Sequence, residues 1–424
     1  MLKAEQNKLL IRVGPGTPLG NLMRQYWIPV LRSEQLVAGE APHRFRILGE
    51  DFVAFRDSEG KVGVMDEACP HRGASMALAR NEKGGLRCIY HGWKICAAGK
   101  VLDAPTHPEG FPLKNLRSFS HPVREGQGMV WTWLGDGAAP PFRPLAFTGL
   151  PDDHVMAATV VANCGWLQPL ETLWDVFHAQ ILHNQTNQNS RRKAYYFSGT
   201  GRTLDNGMQF DYPSMEVEST PYGFSYINVD AIKRTHFRFV APFIQFHATI
   251  PGDESDKAVQ ISVPIDDEKT LLWMIFYNKT GPLKTDGFGR TGMGQVPDMN
   301  DFLAHMGPRV PETRWGQDRT AMSNGKSLSG IVSGSLIATI FGEDLMAIES
   351  QSKTYREREQ LSAPDKAVAF GRRRMLEAIA SYAESDVPMG RDLDLSEVEA
   401  LYELQSDSTR QREAEIAATD GAHS

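Results

Sequence analysis

Between Tyr26 and Trp133 the chain is built from short apolar runs, FRILG, DFVAF, VGVMD and MVWTWLG, cut off by Gly, Asp or Asn. Runs of that length between turn residues predict an all-β region. Ahead of it, residues 1–24 read as a partly helical lead-in, interrupted at Gly14-Pro15-Gly16. The Pro/Gly-rich stretch GDGAAPPFRP (135–144) predicts a domain boundary. Beyond it the runs lengthen. HVMAATVVANCGW predicts one extended strand, and Pro169 to His183 a helical segment. MQFDYPSMEVEST, GFSYINVDAI, HFRFVAPFIQFHATI, AVQISVPI and TLLWMIFYNK predict further strands. Residues 282–328 are irregular, and helical pattern returns in EDLMAIESQS and DKAVAFGRRRMLEAIASYAES before a charged tail. The sum is a β domain joined to a larger α+β domain.

Composition narrows the classes. With 424 residues the chain has room for two cores. Its net charge of −7, with Lys and Arg interspersed, argues against nucleic-acid binding. The opening MLKAEQNKLLIRVGPG has no long apolar core, and the longest apolar run, Ile331 to Phe341, falls short of the roughly 20 residues a bilayer requires. We therefore expect a cytoplasmic protein with no membrane partner. Of the four cysteines, Cys69 and Cys88 sit beside histidines, whereas Cys96 and Cys164 have no such neighbour and are expected to be small core residues.

The chemistry concentrates in residues 69–91, CPHRGASMALARNEKGGLRCIYH, where Cys-x-His is followed sixteen residues later by Cys-x-x-His. Structural zinc usually takes paired cysteines and paired histidines. Mixed pairs suit a two-iron cluster with Cys69 and Cys88 on one iron and His71 and His91 on the other, the ligation of a Rieske 2Fe–2S centre. Gly73 and Gly92 permit tight turns behind the ligands. CPHRG…CIYHGWK resembles the Rieske motif of aromatic-ring oxygenases, and it lacks the extra cysteines of respiratory Rieske proteins.

An oxygenase needs a second iron with open positions, in the form of two histidines and a carboxylate. Residues 163–183 contain Asp175-x2-His178-x4-His183. His178 and His183 lie about 140° apart on a regular helix and converge only if the helix ends or distorts between them. The stretch resembles the mononuclear-iron signature WLQxLE-x3-D-x2-H-x4-H of the same family, except that Gly165 and Thr172 replace the usual Asn and Gly. That resemblance implies that His178 and His183 are iron ligands. It also implies that Asp175 bonds a ligand histidine and links to a Rieske histidine, here His91, of a neighbouring subunit. Electrons would then cross between subunits of a homotrimer or stacked hexamer. FGEDLMAIESQSK resembles the family's late motif, in which an Asp opens a helix. Asp344 matches the third ligand, with Glu343 one register away and Glu349 the more distant competitor.

Gly287 to Gly292 matches G-x-G-x-x-G, but no strand immediately precedes it and no helix follows, so it reads as a loop. With no nicotinamide or flavin site evident, reducing equivalents must come from a separate reductase, which the resemblance implies is an NAD(P)H-dependent flavin/2Fe–2S protein. HFRFVAPFIQFH is the strand expected to line the substrate pocket. Arg238 matches the basic position of phthalate-type enzymes, and buried arginine suits a carboxylate. Arg192, Arg202 and Arg234 are the other candidates.

Taken over nearly the whole chain, the resemblance is to the phthalate-dioxygenase type of Rieske non-haem iron oxygenase. It implies an α+β chain with an all-β Rieske domain (25–140), a helix-grip-like antiparallel-sheet catalytic domain (145–395) and a helical tail (396–424). The implied cofactors are a 2Fe–2S cluster and mononuclear Fe(II). The implied activity is O2-dependent dihydroxylation of an aromatic carboxylate, or else O-demethylation or ether cleavage of a methoxylated or aryloxy acid. A pure electron carrier would not need the second histidine set, and a zinc scaffold would be colourless.

Overall fold

The computed structural model describes residues 2–183, 214–229, 233–247, 257–283, 307–332, 336–352 and 354–404. Arg192, Arg202 and the glycine loop 287–292 lie outside them.

The lead-in forms α1 (Ala4–Ile11) and α2 (Pro18–Met23), split at the glycines as expected. Thr17 caps α2 by accepting from Gly20 N, and Pro18 occupies its first position, where a missing N–H costs nothing. The β region holds three small antiparallel sheets. The outer strand β1 (Trp27–Arg32) pairs with the late strand Met129–Trp133. β2 (His43–Ile47), β3 (Glu50–Arg56) and β4 (Val62–Asp66) form the second sheet. The third is β5 (Arg80–Glu82), β6 (Gly85–Arg87), β7 (Lys94–Ile95) and β8 (Val101–Asp103), strands too short to show as apolar runs. β9 (Ser120–His121), β10 (Val123–Gly126) and β11 (Met129–Trp133) complete the region.

β12 (Val155–Ala162) opens the large domain, followed by α3 (Leu167–Trp174) and α4 (His178–Ile181). The sheet continues with β13 (Ser214–Thr220), β14 (Gly223–Val229), β15 (Lys233–Val240), β16 (Ile244–His247), β17 (Lys257–Pro264) and β18 (Thr270–Tyr277). Then come α5 (Arg319–Ser323), α6 (Leu336–Glu349), α7 (Lys366–Ser385) and β19 (Leu401–Leu404). The described strands pair antiparallel in the order β12-β18-β17-β16-β15-β14-β13, with β19 on β15. β17 is buried along nearly its whole length because both faces are covered. On one face Ala158, Val160, Ala258, Leu272, Met274 and Phe276 pack beneath Leu345 and Ile348 of α6. The opposite face meets the N-terminal region, where Trp273 Nε1 donates to Pro29 O at 3.1 Å and Arg32 reaches Thr159 at 2.7 Å.

Three expectations are corrected. HFRFVAPFIQFH is not one strand: Pro242, which has no N–H for a ladder, sits in the turn between β15 and β16. The tail is not helical where it is described. Residues 401–404 form β19, whose backbone satisfies the edge of β15 at Lys233 to His236. Cys164 is buried, but Cys96 is only partly so. No described helix is long and apolar enough to cross a membrane.

Candidate metal centres

The two Rieske-type loops have the same construction. In the first, Gly73 N donates to Cys69 O at 2.8 Å, and in the second Gly92 N donates to Cys88 O at 3.1 Å. Gly73 and Gly92 both have φ in the left-handed region, +71° and +75°, which closes each loop tightly behind its cysteine. Cys69 and Cys88 are buried at 3% exposure, and the thiols are close enough to act on one another. Burial pushes the Cys69 thiol up to about 11, so its thiolate calls for a cation beside it. The His71 and His91 rings approach to 4.4 Å, and His71 Nδ1 is sealed from solvent with no hydrogen-bond partner among the described residues. Two buried thiols, two adjoining imidazoles and an unused ring nitrogen fit a 2Fe–2S cluster with mixed ligands.

The second centre starts from the end of α3. Leu167, Leu170 and Trp174 bury one stripe of that helix, and Asp175 ends it in an extended conformation. The expected single helix from Pro169 to His183 is therefore two. Asp175 Oδ1 accepts from Phe177 N at 2.8 Å and starts α4, whose first residue is His178. α4 stops at Ile181, so His183 turns back, and the two rings sit 5.3 Å apart. The helix does end between the two histidines, as their spacing required.

Asp344 reaches them from α6. Its Oδ1 lies 3.0 Å from His183 Nε2 and 3.4 Å from His178 Nε2, and the ligand atoms of all three residues lie within 4.8 Å of one another. That oxygen is sealed and has no hydrogen bond of acceptable geometry despite its close neighbours. Three ligand atoms thus converge within reach of a single cation, as a metal site requires. Burial opposes ionisation of Asp344, but His183 and His178 outweigh it and hold the carboxyl well below the usual range.

Each histidine is fixed from behind. His178 Nδ1 donates to Asp175 O at 2.5 Å, whereas the Asp175 carboxylate stays 3.7 Å away. The bond expected from the Asp175 carboxylate is made instead by its backbone carbonyl, because the side chain accepts from Phe177 N and His178 N. His183 Nδ1 donates to Glu343 Oε2 at 2.6 Å, and Glu343 Oε1 accepts from Ser329 Oγ at 2.6 Å. Glu343, weighed only as a rival ligand, is an orienting group. Glu349 is occupied by Arg309 at 2.9 Å and by Asn163 N. α6 begins at Leu336, so Asp344 lies within the helix rather than opening it.

The expected substrate residue Arg238 does not reach this centre. Phe239 pairs with Phe224 and Gln245, and this set faces α3: Trp174 Nε1 donates to Gln245 at 3.2 Å. Arg238, its neighbour in the strand, points to the opposite face with Ser225 and Phe246, and Arg234 shares that face and pairs with Glu216. On the iron-side face the strands present His247 instead, a residue the sequence reading passed over. Burial pushes His247 down to about 4 against the opposing charge of Asp344, so the ring is neutral. Its Nε2 is sealed and unpartnered among the described residues.

Comparison with known proteins gives the family. Residues 26–120 match the Rieske [2Fe-2S] domain, and residues 132–416 match the LigXa C-terminal domain like family. The chain is 35% identical to the 3-chlorobenzoate-3,4-dioxygenase oxygenase subunit of Comamonas testosteroni, over 92% of both chains. It is 33% identical to the phthalate 4,5-dioxygenase oxygenase subunit of Pseudomonas putida, over 92% of this chain and 89% of that one. It is 33% identical to the 5,5'-dehydrodivanillate O-demethylase oxygenase subunit of Sphingobium sp. (strain NBRC 103272 / SYK-6), over 78% of each. The fold matches the fluorene-bound oxygenase of the carbazole 1,9a-dioxygenase–ferredoxin complex with a TM-score of 0.58, at 16% identity over 91% of this chain and 94% of that one. The chain belongs to the Rieske non-haem iron oxygenases, as an oxygenase component. Its cofactors are a Rieske 2Fe–2S cluster and a mononuclear iron.

Proposed function

We propose that this oxygenase hydroxylates the ring of an aromatic carboxylate, with electrons supplied by a separate reductase. The observation that carries the reading of the site is the convergence of His178, His183 and Asp344 on one point. The substrate class rests on likeness along nearly the full chain to oxygenase subunits named for 3-chlorobenzoate and phthalate. The O-demethylase relative supports a second reading, removal of a methyl group from a methoxylated acid.

A mononuclear iron held by His178, His183 and Asp344 would supply O2 activation, and a cluster held by Cys69, His71, Cys88 and His91 would supply electrons singly. The chain's own residues set the geometry. Asp175 O and Glu343 hold the Nδ1 protons of His178 and His183, which leaves both Nε2 lone pairs facing inward. The Asp175 carboxylate remains partly exposed beside His178, where the Rieske tip of a second subunit, carrying His91, can meet it. Trp174, Phe239 and Phe224 form a dry aromatic floor behind the centre. His247 is the polar group on the sheet wall that is free to bond an oxygen of the substrate, and its placement decides which carbon faces the metal. The partner we infer is an NAD(P)H-dependent flavin/2Fe–2S protein, and the assembly a homotrimer or stacked hexamer in the cytoplasm.

The test supplies the iron-replete protein with a phthalate-type reductase and NADH, and offers phthalate, 3-chlorobenzoate and a methoxybenzoate separately. A cis-dihydrodiol from either of the first two supports ring dihydroxylation. Formaldehyde from the methoxybenzoate alone supports demethylation. NADH oxidised to peroxide with all three sinks the aromatic-acid reading.

A further inference from the structure

We propose that Tyr226 and Gln245 are positioning residues for electron transfer between the cluster and the iron: from the sheet they hold the last turn of α3, and so fix where the Asp175 carboxylate stands. The inference rests on the oxygenase reading above and deepens it by naming what sets the group through which electrons arrive.

Asp175 stands at the break between α3 and α4, so its place is inherited from Leu173 and Trp174 just before it. The carbonyls of a helix's last turn have no partner within the helix. Leu173 O finds one on the sheet, where the Tyr226 hydroxyl donates to it at 2.6 Å. Trp174 Nε1 donates to Gln245 Oε1 at 3.2 Å. The two anchors are tied together, since Gln245 Nε2 donates to the Tyr226 oxygen at 3.3 Å and to Phe246 O at 3.0 Å. An indole N–H can only donate, so Gln245 turns its oxygen to Trp174 and its amide nitrogen to Tyr226. Trp174, Tyr226 and Gln245 are all fully buried, and water cannot replace a bond lost among them.

Packing fixes Trp174 independently of these bonds. Phe224 and Phe239 meet its ring in T-shaped contacts, at 5.3 and 5.0 Å between centroids. On another side α7 passes so closely that a methyl group on Gly371 would lie 2.5 Å from Trp174 Cζ3. Glycine is a poor helix former, and this close approach accounts for its place inside α7. Trp174 is thus held at its N–H, by two rings and by a helix, and Asp175 is the next residue in the chain. Burial, and then the negative charge of Asp175, raise the Tyr226 hydroxyl well above its usual pKa, so it keeps the hydrogen that Leu173 O receives. Gln245 also lies two residues before His247 on the same face of β16. One short strand therefore carries both the anchor for Asp175 and the group assigned to the substrate. The step served moves one electron from the reduced cluster to the iron, with no bond made or broken in this chain. A displacement of about 1 Å in such a constellation can cost roughly a hundredfold in rate.

The test compares the full-length, iron-loaded wild type with Tyr226→Phe, Gln245→Leu and Gly371→Ala. Three quantities are read for each. They are backbone hydrogen exchange across residues 175–183 with β12 as reference, Fe(II) affinity by chelator competition, and reoxidation of the dithionite-reduced cluster on mixing with O2 and phthalate. Tyr226→Phe and Gln245→Leu should each speed exchange at the Phe177 and His178 amides about tenfold, with β12 unchanged. Both should slow cluster reoxidation about tenfold or more, while iron affinity stays within about threefold. Gly371→Ala crowds Trp174 without touching either hydrogen bond and should give the same signature, which decides the matter if a sheet variant does not fold. Unchanged reoxidation overturns the proposal, whatever happens to stability, because Tyr226 and Gln245 then only support the fold. Iron affinity that falls in parallel with reoxidation overturns it too, since the network would then hold the metal. Equal reoxidation in iron-loaded and iron-free wild type overturns the oxygenase reading instead, and the exchange arm still decides whether the sheet holds Asp175.

Discussion

Replacing Glu343 tests whether the iron site depends on the group behind His183. Glu343 is buried at 2% exposure, accepts from His183 Nδ1 at 2.6 Å, and takes the Ser329 hydroxyl on its other oxygen. A hydrogen bond to a charged group contributes about 1.5–3 kcal/mol. Removing a carboxylate from behind a metal-bound histidine typically costs about 10- to 100-fold in metal affinity, which is about 1.4–2.8 kcal/mol, so the two routes agree. Glu343→Gln keeps the volume and an acceptor oxygen but loses the charge, and should weaken iron binding about tenfold. Glu343→Ala also strands the His183 N–H and the Ser329 hydroxyl, and should approach a hundredfold. The assay is competition for Fe(II) against a colorimetric chelator, with the Rieske absorption as an internal control that neither variant should change. Wild-type iron affinity in Glu343→Ala would refute the orienting role. Retention of iron by Asp344→Ala, with loss in Glu343→Gln, would mean that the two acids have been assigned the wrong way round.

Asp175→Asn keeps the backbone carbonyl that holds His178 and should retain iron, yet turnover should fall by roughly two orders of magnitude because the charge facing the neighbouring subunit is gone. Loss of iron in parallel would show that the carboxylate holds the metal centre instead. His247→Leu should raise the KM for an accepted aromatic acid by about tenfold or more at unchanged iron content, and an unchanged KM removes His247 from the pocket. Glu171 lies between Arg356 and Arg372 at 2.7 and 2.6 Å, so Glu171→Gln leaves buried cations short of a partner and should cost about 3 kcal/mol in urea denaturation. Burial opposes the Glu171 charge, but the two arginines outweigh it and hold the carboxyl below the usual range. Its contribution is therefore complete above about pH 4.5 and is lost as pH falls through the depressed value, so the gap between wild type and Glu171→Gln should narrow in acid. A gap independent of pH would exclude the charge as its source.

What the sequence disclosed depended on how local each feature is. The loops at Cys69 and Cys88 carry ligands and turn glycines within a few residues, so their chemistry is legible without a fold. β12, β17 and β18 announce themselves as apolar runs because both of their faces are covered. β5 to β8 do not, since two- and three-residue strands leave no period to detect. The fate of Arg238 was unreadable for a different reason. A strand shows alternate residues to opposite faces, and only the pairing with Phe246 and Ser225 tells which face meets α3. The same register that removes Arg238 supplies His247.

The choice between Glu343 and Asp344 shows why adjacent acids defeat a search for one ligand. Successive residues on a helix point about 100° apart, so the two carboxylates of α6 cannot approach His183 from the same side. In the structure they approach from opposite sides, Asp344 at Nε2 and Glu343 at Nδ1. An imidazole with a carboxylate at each nitrogen has one nitrogen left to bind metal only if the other carries the proton, and Glu343 is the acceptor for that proton. Asp344 faces Nε2 at 3.0 Å, and its sealed oxygen is left for the cation. The Glu-Asp pair is therefore a unit: the first acid fixes the tautomer of His183 that lets the second share a metal with it. A one-residue slip in α6 would exchange neither role cleanly, since it would place the longer side chain at the metal and leave the shorter one unable to span to Nδ1.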